Sequence, residues 1–155
     1  MLGSGDAALE SGFSAGAKKY PGSVSVRLTY DEALAHRIIA GSDVLLVPSR
    51  FEPCGLTQMY ALAYGSLPLV NRVGGLADTV RDVNAEHLAA GDATGFVFTE
   101  TTASGLRDAI NRAFALWTDT RLWSRVQHSG MLEDFGWAPA AKRYLDLYHE
   151  LRPLA

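Results

Sequence analysis

One short segment of the chain carries the residue types that could do chemistry on an anionic substrate. Its sequence is S-R-F-E-P-C-G-L-T, residues 49–57, and it places a carboxylate, a thiol and a glycine close together. From Leu56 the apolar spacing becomes helical, which leaves the N–H groups of Gly55, Leu56 and Thr57 as free donors at a helix start. A helix dipole favours an anion at that end. The segment therefore predicts an anion site with the carboxylate of Glu52 beside it.

The elements that must position this segment are those of an open α/β sheet. Val44–Val47 is a continuous apolar run between Asp43 and Pro48, with the length of a buried parallel strand. Pro48 ends the strand because proline cannot donate to a ladder. Ligands of open α/β sheets bind at the carboxyl ends of the strands. The order strand, loop, helix thus places Glu52 at the sheet edge where a ligand is expected.

The rest of the chain alternates in the same way. Helices are predicted at 8–20 (with Asp6 as N-cap) and 31–39, strands at 24–28, 67–70 and 95–98, a short helix or turn at 76–83, a polar loop at 84–94, and helices from Thr102, Asp119 and Trp137. Alternating strands and helices predict an α/β fold with a parallel sheet covered on both faces by helices. The chain is expected to end in a helical C-terminal segment, with Pro153 closing the last helix and with Trp117 and Trp123 in the core.

The bulk composition excludes several classes of function. The chain has 155 residues, a formal net charge of -3 and one cysteine, Cys54. No basic footprint for nucleic acid is present, and no apolar run approaches the roughly 20 residues of a membrane span. A single cysteine excludes an internal disulfide and a cysteine cluster for metal. Because the start lacks a basic region followed by a long apolar one, a cytoplasmic protein is expected, with no membrane or nucleic-acid partner.

Three motifs carry a family resemblance. They are P-S-R-F-E-P-C-G-L-T-Q at 48–58, G-G-L-A-D-T-V at 74–80 and T-G-F-V-F at 94–98. In this order they resemble the signatures of bacterial and plant-type glycogen (starch) synthases, and the resemblance covers essentially the whole chain. That family has the GT-B architecture of two Rossmann-like domains. The resemblance implies that residues 1–136 are most of the C-terminal, nucleotide-sugar-binding domain, with its first βα unit missing, and that residues 137–152 are the crossover helix.

The resemblance also implies a reaction. Glucose would pass from ADP-glucose to the non-reducing end of an α-1,4-glucan with retention of configuration, with no cofactor besides the substrate and no metal. Parts absent from this sequence would supply much of the surface that binds the glucan acceptor and a catalytic histidine. They would also supply the arginine and lysine that neutralise the diphosphate. None of the chain's four histidines matches a catalytic position, and each is expected to be a surface or helix-packing residue: His36, His87, His128 and His149. The residues themselves do not distinguish ADP-glucose from UDP-glucose.

Roles for single residues follow from the same resemblance. Glu52 matches the acid that lies by the glucose and is needed for activity; the alternatives are a solvated loop residue or a structural cap. The backbone N–H groups of Cys54 and Gly55 would bind glucose hydroxyls, although Cys54 could instead be a small buried thiol. Leu56 and Thr57 match the helix start that receives the distal phosphate, where plain helix capping is the alternative. Many retaining relatives have a second glutamate where Tyr60 stands, a departure that the glycogen synthase branch shares.

Other residues are matched to the nucleotide. Tyr30 would stack on the adenine, unless it only packs against its own domain. Gly3 and Gly5 would let the backbone pass close to the nucleotide, unless they only form a turn. Arg50 lies in the first motif and could equally be a structural salt-bridge partner.

Three hypotheses for the isolated chain remain open. It is the donor-binding part of a glycogen synthase with weak or no activity alone, a non-catalytic module that binds ADP or ADP-glucose, or a structural fragment that binds nothing. Trp137, Tyr144 and Tyr148 in the last helix are expected to be partly exposed and to favour self-association, unless they pack on their own domain.

Overall fold

The computed structural model describes residues 1–152. Within that range the chain forms eight helices and three strands: α1 (Ala7–Lys19), α2 (Glu32–Ala40), β1 (Val44–Val47), α3 (Thr57–Tyr64), β2 (Leu67–Asn71), α4 (Gly74–Thr79), α5 (Ala85–Ala90), β3 (Phe96–Phe98), α6 (Ala103–Trp117), α7 (Thr120–Met131) and α8 (Trp137–Leu151). The chain divides into two compact units, of which one is Met1–Ile39 and the other begins at Ala40.

The first unit is built around α1. Asp6 caps this helix as predicted, because its Oδ1 accepts hydrogen bonds from the N–H groups of Ala8 and Leu9 at 2.9 and 3.1 Å. The strand predicted at 24–28 is wrong, since only Arg27 pairs there, in an isolated parallel bridge with Leu2. Part of the reason is local: the N–H of Val24 bonds the carbonyl of Tyr20 in the turn that follows α1 and is not available to a ladder.

The second unit contains a parallel sheet of three strands in the order β1-β2-β3. Val44 pairs with Leu67, and Leu69 pairs with Phe96. All five residues of β2 are buried because this strand has a neighbour on each side. The bounds predicted for β1 are confirmed, but its predicted burial is wrong: β1 is an edge strand of this sheet, and Leu46 is 48% exposed.

Helices cover both faces of the sheet, as predicted. Leu67 and Leu69 pack with apolar side chains of α6 and α7, including Trp123, while Val70 faces the other way and packs with Leu76 of α4. This division follows from the two-residue period of a strand. Trp123 is buried as predicted. Trp117 is not core: it is half exposed and lies edge-on to Trp123, with ring centroids 4.9 Å apart.

Two further segments differ from or extend the sequence prediction. The polar loop predicted at 84–94 contains the helix α5, which begins because Asn84 Oδ1 accepts a hydrogen bond of 2.9 Å from the N–H of His87.

No residue of α8 (Trp137–Leu151) is buried, and Trp137 is 84% exposed, which confirms the predicted exposure of the aromatic residues of this helix. Pro153, expected to end α8, lies outside the described residues. No helix among residues 1–152 is both long enough and apolar enough to cross a bilayer.

Candidate functional site

The loops that follow β1 and β2 meet at one edge of the sheet and form the candidate site. Residues 48–56, the Glu52 loop, follow β1 and lead into α3, while Arg72 and Val73 follow β2 and lead into α4. In a parallel sheet these are the carboxyl ends of the strands, where ligands bind. The observed topology therefore brings the first two sequence motifs together.

Glu52 has a carboxylate that is not committed to the fold. Its side chain is half buried, and its only hydrogen-bond partner within residues 1–152 is the hydroxyl of Ser49, with Oγ and Oε2 3.5 Å apart. It does not cap α3, whose N-cap residue is Leu56 and which carries no side-chain cap. The structural-cap interpretation of Glu52 thus finds no support, and the carboxylate is available to a ligand.

The backbone after Glu52 presents unpaired hydrogen-bond donors. Gly55 has φ of 72°, in the left-handed region that favours glycine, and Leu56 follows in a right-handed helical conformation. In the described part of the chain the N–H groups of Gly55, Leu56 and Thr57 have no acceptor. Because α3 begins at Thr57, these donors lie at the positive end of its dipole. The segment can accept a negatively charged oxygen without breaking an existing bond.

Cys54 and Thr57 are both exposed. Cys54 is exposed, so the alternative of a small buried thiol is wrong; among residues 1–152 its thiol has one hydrogen-bond partner, the carbonyl of Gly55 at 3.7 Å. Thr57 is the first residue of α3, and the N-cap position is occupied by Leu56. The hydroxyl of Thr57 therefore does not cap the helix. The contacts of Cys54, Gly55, Leu56 and Thr57 with sugar and phosphate stay predictions.

Gly74 and Gly75 pack directly against the backbone of the Glu52 loop. A Cβ on Gly74 would lie 1.9 Å from the carbonyl oxygen of Glu52, and a Cβ on Gly75 would lie 2.2 Å from that of Cys54. Gly75 N–H also donates to the Glu52 carbonyl at 3.2 Å. The second motif therefore contains two glycines because backbone contacts backbone at this position.

Two buried polar residues that sequence reasoning gave no role hold the same loop. Asn71, buried at the end of β2, donates from Nδ2 to the carbonyl of Ser49 at 2.9 Å. Gln58 is fully buried in α3 and donates to the carbonyls of Cys54 and Gly55, and to the hydroxyl of Thr79. The sequence signal that could have identified them is a polar residue within a mostly apolar stretch, which occurs at positions 58 and 71.

The residues matched to the nucleotide lie in the other unit. Tyr30 is 86% exposed, so the alternative that it packs within its own unit is not supported, and stacking on adenine stays a prediction. Gly3 has φ of 146°, which favours glycine, and its N–H bonds the carbonyl of Arg27. The N–H of Gly5 bonds the carboxylate of Glu10 at 2.8 Å, so this amide is already occupied.

Two arginines differ in their contacts. Arg50 is exposed and has no ion pair among residues 1–152, so the salt-bridge alternative is not supported. Arg81, which follows α4, pairs with Glu133. The hydrogen bond to Glu133 raises the pKa of Arg81 above its usual value, although partial burial acts to lower it. Within the described range, no group of three or more His, Cys, Asp or Glu is placed to hold a metal ion.

The sequence and fold of this chain are similar to those of known proteins. Residues 5–124 match the family described as Glycosyl transferases group 1. The catalytic domain of starch synthase IV from Arabidopsis thaliana, solved bound to ADP and acarbose, is 36% identical with a TM-score of 0.79, over 96% of this chain and 31% of that chain. Sucrose-phosphate synthase from Thermosynechococcus elongatus is 25% identical with a TM-score of 0.61, over 97% of this chain and 37% of that chain. This chain thus spans about a third of the length of either solved protein.

The family match and the structural neighbours confirm the relationship predicted from the three motifs. The parallel sheet with its flanking helices corresponds to the C-terminal, Rossmann-like half of a GT-B fold, in which the Glu52 loop follows the first strand of the sheet. Since the match covers most of the sequence, the chain belongs to the glycosyl transferases of group 1.

Proposed function

We propose that this chain supplies the donor site of an ADP-glucose-dependent glycogen or starch synthase. The complete enzyme would transfer glucose to the non-reducing end of an α-1,4-glucan and retain the anomeric configuration. The observation that carries the proposal is the row of unpaired N–H groups at Gly55–Thr57, next in the chain to the uncommitted carboxylate of Glu52. The starch synthase neighbour that was solved with ADP and acarbose supports the choice of nucleotide.

The proposed chemistry divides among these groups. Leu56 and Thr57 hold the distal phosphate and stabilise the negative charge that grows on the leaving diphosphate. The N–H groups of Cys54 and Gly55 hold glucose hydroxyls, so that the reacting carbon faces the acceptor. Glu52 lies by the sugar and stabilises the positive charge that develops there. In this scheme the acceptor attacks from the face of the departing phosphate, which gives retention.

We propose that Tyr30 stacks on the adenine of the donor and that Gly3 and Gly5 let the backbone pass close to the nucleotide. The family resemblance is the support for all three. For Tyr30 the exposed ring adds a surface on which a base can stack, a contact worth about 1–3 kcal/mol where it has been measured for bases on aromatic side chains.

Calorimetry on the 155-residue chain tests the donor site. We expect ADP and ADP-glucose to bind, and Thr57→Ala to weaken both because a phosphate contact is lost. Tyr30→Ala should weaken both by about tenfold or more, whereas Tyr20→Ala, which removes another exposed tyrosine of the same unit, should leave both unchanged. Absence of binding by the wild-type chain would refute the donor site and favour a fragment that binds nothing.

A second candidate is a nucleotide-binding module without turnover. It is favoured by the fact that the chain spans only 31% of the starch synthase chain. Incubation with glycogen and ADP-glucose labelled in the glucose distinguishes the two. We expect binding without incorporation from this chain alone, and incorporation only when the remaining part of a synthase is supplied. Incorporation by the chain alone would contradict this expectation.

A further inference from the structure

We propose that Gln58 is a positioning residue that turns the N–H groups of Gly55 and Leu56 outward, where they can hold oxygen atoms of the sugar diphosphate. The inference rests on the proposed function, because it concerns the same donor site. It assigns to a buried amide side chain the orientation of the backbone that would contact the ligand.

The first step is the geometry of two peptide groups. Gln58 Nε2 donates to the carbonyl oxygens of Cys54 and Gly55, each at 2.9 Å. In a planar trans peptide the C=O and the N–H point in opposite directions. The Cys54 carbonyl belongs to the peptide that carries the N–H of Gly55, and the Gly55 carbonyl belongs to the peptide that carries the N–H of Leu56. Holding both carbonyls on Gln58 therefore directs both N–H groups away from it.

The second step is the backbone conformation that this arrangement needs. Successive N–H groups converge on one anion when neighbouring residues combine left-handed and right-handed helical conformations. Gly55 has a positive φ and Leu56 is right-handed, as such a concavity requires. Both N–H groups lack an acceptor in the described part of the chain.

The third step is that Gln58 is costly as a purely structural residue. Its side chain is fully buried, yet Oε1 has no hydrogen-bond partner among the described residues. Leaving a buried acceptor unpaired destabilises the folded state. Oε1 lies against Gly55, where an added Cβ would be 2.5 Å away. An apolar side chain of similar length would fill the space without this cost but could not hold the two carbonyls.

The fourth step links Gln58 to Glu52. Gln58 Nε2 also contacts Thr79 Oγ1 at 3.2 Å, and Thr79 donates to the carbonyl of Gly75 at 2.6 Å. Gly75 in turn donates to the carbonyl of Glu52. One connected set of hydrogen bonds thus holds the carboxylate-bearing residue and the outward N–H groups in a fixed relation.

Gln58→Met tests the proposal, with ADP and ADP-glucose as probes in calorimetry on the full 155-residue chain. Since Gly55 N–H is assigned to the sugar, we expect affinity for ADP-glucose to fall roughly tenfold and affinity for ADP to fall less, about threefold. The ratio of the two affinities should therefore decrease. A variant that only loosened the fold would not change this ratio.

Gln127→Met is the matched control. Gln127 Nε2 donates to the carbonyl of Gly65 at 2.7 Å, which is the same kind of bond at the other end of α3. We expect its affinity ratio to equal that of the wild type. An unchanged ratio in Gln58→Met, or the same change in Gln127→Met, would overturn the positioning role while leaving the donor site standing. A wild-type chain that binds neither probe would refute both.

If Gln58→Met does not fold, Thr79→Val tests the positioning role of Gln58 instead. It removes the hydroxyl that Gln58 contacts but keeps the shape of the side chain. We expect a smaller decrease of the same affinity ratio, about threefold. A folded Thr79→Val chain with the wild-type ratio would then overturn the proposal.

Discussion

Gly75 N–H donates to the carbonyl oxygen of Glu52 at 3.2 Å, and a Cβ on Gly75 would lie 2.2 Å from the carbonyl oxygen of Cys54. The two residues belong to different motifs, 23 positions apart in the chain. The glycine motif is therefore part of the site, because it is the surface on which the Glu52 loop rests.

Gly75→Ala is expected to displace that loop. The atoms that a Cβ would meet are backbone atoms of Cys54, which cannot move aside as a flexible side chain could. We expect a loss of about 1–3 kcal/mol in the free energy of unfolding and weaker binding of ADP-glucose, measured by denaturant titration and calorimetry.

Gly12→Ala is the control for this substitution. Gly12 lies inside α1, and apart from its own helix backbone no described atom lies within 4 Å of an added Cβ, so alanine should raise stability by roughly 0.5–1 kcal/mol and leave binding unchanged. Wild-type affinity for ADP-glucose in Gly75→Ala would show that the loop does not depend on this contact.

Glu52→Gln should separate sugar binding from phosphate binding. Because the carboxylate contacts only the Ser49 hydroxyl in the described part of the chain, the free energy of unfolding should change by less than about 0.5 kcal/mol. Affinity for ADP should hold or rise, since a negative charge near an anion site is removed, while affinity for ADP-glucose should fall. Equal losses for both ligands in calorimetry would place Glu52 elsewhere than beside the sugar.

Local signals predicted the elements that carry the site. The apolar run of β1, the proline after it and the helical spacing from Leu56 fix strand, loop and helix at the observed positions. Asp6 and Asp119 were predicted as N-caps because aspartate is favoured before the first helical residue, and each side chain accepts a hydrogen bond from the first turn of its helix.

Properties that depend on distant residues were not predictable in the same way. The exposure of Leu46 reflects the number of strands beside β1, which the run V-L-L-V does not encode. The same limit applies to Gln58 and Asn71, whose partners include Thr79 and Thr101, 21 and 30 positions away. A motif indicates that such residues matter, but only the folded chain shows which carbonyl each one holds.

The Arg81–Glu133 pair is expected to stabilise the fold without affecting ligand binding. Glu133→Gln should lower the free energy of unfolding by about 1 kcal/mol, less than for a buried pair, because the Arg81 side chain is 35% exposed and solvent screens the charges. The control Glu86→Gln, in the first turn of α5, should change it by less than about 0.5 kcal/mol.

The pH dependence of this contribution follows from the raised pKa of Arg81. Stability gained by a group with a raised pKa is present below its ordinary pKa and is lost only as the pH rises through the raised value. The Arg81 contribution should therefore stay constant between about pH 6 and pH 9 and should shrink in about 1 M salt. A loss of the Arg81 contribution within that pH range, in denaturant titrations of wild type and Arg81→Met, would contradict the assignment.

The last prediction concerns α8, whose apolar side chains form a stripe that the described part of the chain leaves uncovered. The stripe repeats with the alternating spacing of a helix that packs on another helix: Trp137, Ala141, Tyr144, Tyr148 and Leu151. Exposed apolar stripes of this kind promote association.

We expect the chain to self-associate in sedimentation experiments, and the combined change Trp137→Gln, Tyr144→Lys and Tyr148→Glu to make it monomeric. Since none of the three is buried, the free energy of unfolding should change by less than about 0.5 kcal/mol per substitution. Lys142→Gln, on the same helix but outside the stripe, should leave the association unchanged. A wild-type chain that sediments as a monomer at all concentrations would show that the stripe does not pair with itself.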